Sequence, residues 1–198
     1  MVWMIWTNGS TNQQAGEARV LLQLPKRDTL ECARHLQIST TNNEAEYEVV
    51  LLSLDLVKVV EAMSAVIHCN SQVIVTHING DYKAKGERMK EYLSVVKSKM
   101  SKGFSTKFVQ IPREENERVD HLAKAAFAEY TNATNQVLSF VQYAPAIDKL
   151  EVQVIPTRTD WMMPIVPYLN KGTLPEDRNA SCRLKVQSSH FVMIGDVL

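Results

Sequence analysis

Apolar and polar positions along the first half of the chain alternate first with a period of two and then with a helical period. Residues 2–7 are rich in β-formers, 18–24 form a second apolar run and 30–37 a weaker third, with polar turns between them, so three successive strands are expected. After Thr40-Thr41-Asn42-Asn43 a helical stretch runs to about Met63, with Glu44, Glu48, Asp55 and Lys58 on one stripe expected to face water. The rest of that helix is apolar and must face protein.

A short strand over 65–69, one or two helical turns over 72–78, a polar helix over 83–102 stopping at Gly103, and an alternating strand over 104–111 follow. The clearest amphipathic helix spans 116–130. It places Val119, Leu122, Ala123, Ala126, Phe127 and Tyr130 on one face, with Asn116 as its expected N-cap. The order predicts a mixed α/β fold: a five-stranded mixed sheet, three antiparallel strands first and two parallel ones after, flanked by helices. Prolines 145, 156, 164, 167 and 175 punctuate the remainder. Residues 1–132 are therefore expected to form the main domain, 133–157 a linker, and 158–198 a C-terminal extension. In that extension a last helix would run from Pro175 through Ser189, with a strand pair around Gly195.

Composition excludes little. The chain has 198 residues, 45% of them apolar, and 22 basic against 22 acidic side chains; it can bury a core, and only local clustering bears on nucleic acid. Cys32, Cys69 and Cys182 contain no CxxC pair, which argues against a disulfide framework or a cysteine zinc site and for a reducing, intracellular setting. Met1 to Trp6 lacks the basic flank of a secretory leader, so the sequons at Asn8, Asn132 and Asn179 are read as chance. No apolar run approaches the ~20 residues that cross a bilayer, so no membrane partner is expected.

Chemistry is suggested by carboxylates and amides at element ends. Glu46 lies two residues after Glu44, about 200° around the helix, and so turns toward the apolar face. If the helix start is packed, that carboxylate needs a partner; if the start is frayed, water serves. Asp120, early in the amphipathic helix, either compensates the helix dipole or joins Glu46 with Asn8 and Asn70 at one sheet end. His68 and Cys69 point to opposite faces and make no joint metal site. Trp3, Trp6 and Tyr47 read as core.

Thr40-Thr41-Asn42-Asn43-Glu44-Ala45-Glu46-Tyr47-Glu48, Asn70-Ser71-Gln72-Val73-Ile74-Val75, Asn79-Gly80-Asp81-Tyr82, and Ile111-Pro112-Arg113-Glu114-Glu115-Asn116 with Asp120 together resemble the ribonuclease H domain of plant gypsy-type LTR retrotransposons. The likeness runs over about residues 3–130. Asp160-Trp161-Met162-Met163-Pro164-Ile165, Tyr168-Leu169 and Leu174-Pro175-Glu176-Asp177 resemble the segment that joins this domain to integrase, which implies a precursor fused with reverse transcriptase and integrase.

The resemblance implies hydrolysis of RNA in RNA–DNA hybrids with two Mg²⁺ or Mn²⁺ ions held by four carboxylates. Glu46 and Asp120 match two of the four positions. At the other two, Asn8-Gly9-Ser10 and Asn70-Ser71-Gln72 stand where the family has Asp-Gly-Ser and Asp-Ser-Gln, so impaired catalysis is expected. Ala15-Gly16-Glu17-Ala18-Arg19 also departs from the family's glycine-rich entry to the second strand. Gly9, Ser10, Asn43, Ser71 and Gln72 are implied to meet the nucleic acid around the site. Between Asn79 and Lys107, eight basic residues, among them Lys83, Lys85 and Arg88, face only Asp81, Glu87 and Glu91; this is either a phosphate-tracking surface or an ordinary solvated one.

Overall fold

A computed structural model describes residues 2–11, 15–23, 29–101, 103–117, 138–148 and 162–193. Strands β1 (Trp3–Thr11), β2 (Gly16–Gln23) and β3 (Thr29–Leu36) form an antiparallel meander. On its far side β4 (Ser64–Cys69) lies parallel to β1, and β5 (Ser105–Gln110) parallel to β4. The sheet has six strands rather than five. Leu138–Gln142, inside the stretch read as linker, forms β6 and pairs parallel with β3, giving the order β5-β4-β1-β2-β3-β6. Only five residues long and flanked by weakly patterned sequence, β6 carries no periodic signal strong enough to separate it from a loop.

Alternation places Trp3, Ile5 and Thr7 of β1, Ala18, Val20 and Leu22 of β2, and Ala65, Ile67 and Cys69 of β4 in the interior. Helix α1 (Asn42–Val59) packs on β1 and β2. It starts at a reciprocal cap in which Thr41 Oγ1 accepts from the Glu44 backbone N–H and Glu44 Oε2 accepts from the Thr41 N–H at 2.7 Å, satisfying two donors that a helix start leaves open. Val49, Val50, Leu51 and Leu52 are all fully buried, so α1 is covered on every side.

Of the polar stripe of α1, Lys58 faces water as expected and Asp55 does so in part, but Glu44 and Glu48 are buried. Helix α3 (Glu87–Met100) lies along it, with Arg88 on Glu44, Tyr92 on Glu48 and Lys99 on Asp55. Three pairs at a constant sequence offset mean that the two helices run side by side in the same direction. Glu48 is fully buried. Single-sequence periodicity cannot tell a solvent-facing polar stripe from one whose partner is a second polar helix.

Helix α2 (Gln72–Asn79) is capped by Ser71 and stopped by Gly80, whose φ of 87° is the left-handed value a glycine C-cap adopts. Residues 113–117 are helical, so Asn116 lies within this helical segment. Asn116 is not its N-cap: the side chain is buried and Nδ2 donates to the Thr7 carbonyl at 2.9 Å. Residues 118–130 of the expected amphipathic helix, with Asp120, lie outside the described residues.

Farther on, α4 (Ile165–Lys171) was not expected; its Pro167 falls in the first turn, where no intrahelical N–H is lost. Helix α5 (Arg178–Ser188) matches the expected last helix, starting at an Asp177 cap. Cys182 and Val186 of α5 join the main core, while Leu184 closes a small second cluster with Met162 and Ile165. Lys185 ties α5 to Glu61 at the end of α1. Residues 191–193 are not strand, and 194–198, including Gly195, lie outside the described residues. Among the described residues no helix is long and apolar enough to cross a membrane.

Candidate functional site

The pairing of β1 with β4 ends at Thr7 opposite Cys69. One step further come Asn8, still on β1 and by alternation on the face where the Trp6 and His68 rings stack at 5.2 Å, and Asn70, just past the end of β4. Asn8 is not at the end of β1. The strand runs on to Thr11, paired there with β2 alone, so Asn8 is exposed at the level where β4 stops. Thr7 Oγ1 donates to the His68 carbonyl, Ile111 N–H to the Cys69 carbonyl and Asn116 Nδ2 to the Thr7 carbonyl. These bonds bind β1, β4 and the 111–117 segment together at this level.

Glu46 approaches from the α1 face. Gly9 makes that approach possible, because a Cβ there would lie 2.7 Å from the Ala45 carbonyl oxygen and 2.8 Å from Glu46 Cα, closer than van der Waals contact allows. Glu46 is buried, and burial pushes its carboxyl from 4.5 up to about 7, although the Gly9 N–H and the Arg113 charge pull the other way. The packed helix start anticipated for Glu46 is therefore what occurs. Glu46 Oε2 and Asn70 Oδ1 are buried atoms with no hydrogen-bond partner among the described residues. Such atoms are uncommon in folded proteins, and both being acceptors they mark places where an outside donor or cation would be welcome.

Ser10 and Asn43 are exposed on β1 and the first turn of α1, and Ser71 and Gln72 open α2. The structure thus brings Asn8, Gly9, Ser10, Asn43, Glu46, Asn70, Ser71 and Gln72 to one end of the sheet. Lys83 and Lys85 are exposed in the loop between α2 and α3, not in a helix. The eight residues of α2 separate them from Ser71 by about 12 Å along its axis. Arg88 is partly engaged elsewhere, its Nε on Glu44 Oε1 at 2.5 Å. Arg113 and Asn116 were not singled out for this site by their sequence context. The quoted motif of residues 111–116 was the available signal, but without the fold nothing assigned either side chain to Thr7 or Glu46.

Among the described residues no three His, Cys, Asp or Glu side chains gather as a metal-binding group. Of the four positions that the resemblance assigns, Glu46 is the carboxylate among the described residues and Asn8 and Asn70 are neutral amides; the Glu115 charge also reaches His68. Even with Asp120 counted from the sequence, this set has two carboxylates, and it does not fit a pair of Mg²⁺ ions, which want anionic oxygens in near-octahedral geometry.

A model of the family described as reverse transcriptase-like matches residues 7–126. Among solved structures, LC11-RNase H1, isolated from compost by a metagenomic approach, is 30% identical with a TM-score of 0.53, over 65% of this chain and 97% of that one. LC11-RNase H1 in complex with an RNA/DNA hybrid gives 28% identity and a TM-score of 0.55, over 65% of this chain and 99% of that one. RNase H1 from the halophilic archaeon Halobacterium salinarum has the same fold at 19% identity, with a TM-score of 0.55 and coverage of 65% and 99%. The family match ends before β6, α4 and α5.

Proposed function

The chain belongs to the reverse transcriptase-like family and has a ribonuclease H-like fold, and from that premise we propose that it is a hybrid-binding ribonuclease H-type domain whose own RNA cleavage is impaired. The observation that carries this reading is the sheet end itself. Asn8 and Asn70 hold amides at two of the four positions where the resemblance expects carboxylates, while Glu46 is buried, and Glu46 Oε2 and Asn70 Oδ1 have no partner among the described residues.

A unit charge interacts with another 4 Å away by ~4 kcal/mol at an effective dielectric of about 20. Two lost charges facing divalent ions therefore cost several kcal/mol in metal affinity, at tenfold per ~1.4 kcal/mol. Substrate contact does not depend on those charges. LC11-RNase H1 is described in complex with an RNA/DNA hybrid, and by that likeness Gly9, Ser10, Asn43, Ser71 and Gln72 are the groups we assign to the hybrid's backbone and sugars. Lys83 and Lys85 would add long-range attraction.

The resemblance of residues 160–177 to the segment preceding integrase supports an origin in a plant gypsy-type retrotransposon polyprotein. A decayed fragment is the competing reading. Against it stands β2: Glu17 and Arg19, the departures from the family pattern, pair with each other at 3.1 Å and leave the strand in full register with both neighbours.

The test is cleavage of a labelled RNA–DNA hybrid in Mg²⁺ and in Mn²⁺, beside the Asn8→Asp/Asn70→Asp double variant. The material should be fresh and checked by mass, because an Asn-Gly pair deamidates. We expect silence in the natural chain and activity in the variant. Cleavage by the natural chain would overturn the impairment, and silence in both would favour decay.

A further inference from the structure

The donor set that fails to fit two cations fits a phosphate. Resting on the ribonuclease H-type reading above, we propose that this domain holds the backbone of an RNA–DNA hybrid at the sheet end without any divalent ion, the Asn8 and Asn70 side-chain amides donating to phosphate oxygens.

Aspartates at these two positions, as the resemblance places them, would repel a phosphodiester unless a cation stood between. Asparagine has the same shape, carries no charge and brings two N–H donors. Asn8 lies on β1 one residue past Thr7, and Asn70 directly follows Cys69, the last residue of β4 and the register partner of Thr7. Both amides thus start from one level of the sheet, within reach of two oxygens of one phosphate in the proposed mode. Ser71 adds a third donor. Its hydroxyl oxygen already accepts from the Ile74 N–H, and its own proton has no acceptor among the described residues. Glu46 is set back under Gly9, more than nine-tenths buried, and feels the positive charge of Arg113, while the Glu115 charge reaches His68. A phosphate approaching the amides therefore meets them before it meets Glu46.

The experiment is fluorescence anisotropy of a labelled RNA–DNA hybrid titrated with the full chain, in EDTA and in millimolar Mg²⁺ at matched ionic strength, with the RNA recovered and checked for intactness. The natural chain should bind in EDTA, within about threefold of its affinity in Mg²⁺. Asn8→Asp/Asn70→Asp should weaken binding in EDTA by about a hundredfold, two charges each worth at least a tenfold step, and Mg²⁺ should restore much of it. Asn8→Ala/Asn70→Ala should stay indifferent to Mg²⁺ but bind about tenfold or more weaker, from the lost hydrogen bonds to a charged group. Circular dichroism melts establish that each variant is folded, and single replacements at Asn8 substitute for any double variant that is not.

Binding by the natural chain that requires Mg²⁺ would overturn the metal-free mode while leaving the ribonuclease H-type reading in place. Full affinity in the alanine variant would overturn the role of the amides. Absence of binding in both buffers would overturn the hybrid-binding reading itself, and this inference with it.

Discussion

The Tyr92 hydroxyl donates to Glu48 Oε1 across 2.6 Å inside the core, joining α3 to α1 through a carboxylate with no exposure to solvent. Glu48 accepts two further bonds, from Gln142 Nε2 at 2.9 Å and from the Ala146 N–H at 2.8 Å. Burial first, and then the carboxylate it faces, holds the Tyr92 phenol well above its ordinary value, so it remains a donor at every physiological pH. Tyr92→Phe should cost about 1–3 kcal/mol, the range for leaving a buried polar group short of a partner. Urea unfolding would show this as a lower midpoint at unchanged slope; an unchanged midpoint would mean that water takes the tyrosine's place.

Two of the three donors to Glu48 come from β6 and the residues just after it, beyond the family match. A chain ending at residue 132 leaves that carboxylate short of partners and uncovers the edge of β3, so it should lose about 3–5 kcal/mol, the range for breaking a buried charged network. Glu48→Leu should recover much of the loss in the shortened chain and destabilise the full one, where it strands the Tyr92, Gln142 and Ala146 donors. Equal effects in both would show that β6 is not what satisfies Glu48.

Glu48 also shows why some of the molecule was legible in the sequence and some was not. The meander, α1, α2 and β5 follow from local periodicity and capping residues, and the likeness to a known family supplied the positions at the sheet end. Which polar residues meet each other was hidden, because Glu48 and Asp55 read as solvated until α3 is laid along them. Asn116 looked like a cap for the same reason. Its partner is the Thr7 carbonyl, more than a hundred residues away, and nothing local distinguishes that bond from a capping one.

Glu46 makes stability depend on pH. Its folded-state carboxyl titrates at about 7 against an ordinary 4.5, mainly through burial, so between those values the folded chain binds more protons than the unfolded one. Its contribution is fully present below 4.5 and is lost as pH rises to about 7, a change of order 1–3 kcal/mol. Glu46→Gln should flatten that part of the pH profile and unfold at higher urea than the natural chain at pH 8. Arg113→Ala, which removes a charge that favours the anion, should steepen it. A natural profile with no fall over this window would refute the assignment.

Gly9 is needed for space. Gly9→Ala sets a methyl group 2.7 Å from the Ala45 carbonyl oxygen and 2.8 Å from Glu46 Cα, and backbone atoms on both sides cannot yield as a flexible side chain does. A loss of about 1–3 kcal/mol is expected, read as a lower melting temperature, together with a shifted Glu46 titration as α1 is pushed from β1. A variant that melts normally with the same titration would show that the contact relaxes freely.

The basic residues between α2 and α3 divide by what they already touch. Lys83 and Lys85 are exposed, and each phosphate contact they make releases condensed counterions on binding. Replacing either with alanine should lower the slope of log affinity against log salt by about 1 and weaken binding similarly across hybrid sequences. Arg88 is committed to Glu44, whose other carboxylate oxygen holds the α1 cap. Arg88→Ala should therefore leave the salt slope nearly unchanged and act on folding instead. That effect should be under about 1 kcal/mol, because the arginine is half-exposed and solvent screens the pair. Measured over a series of salt concentrations, a slope that falls with Arg88→Ala as much as with the lysine variants would mean that the guanidinium leaves Glu44 when nucleic acid arrives, and that the whole start of α3 belongs to the binding surface.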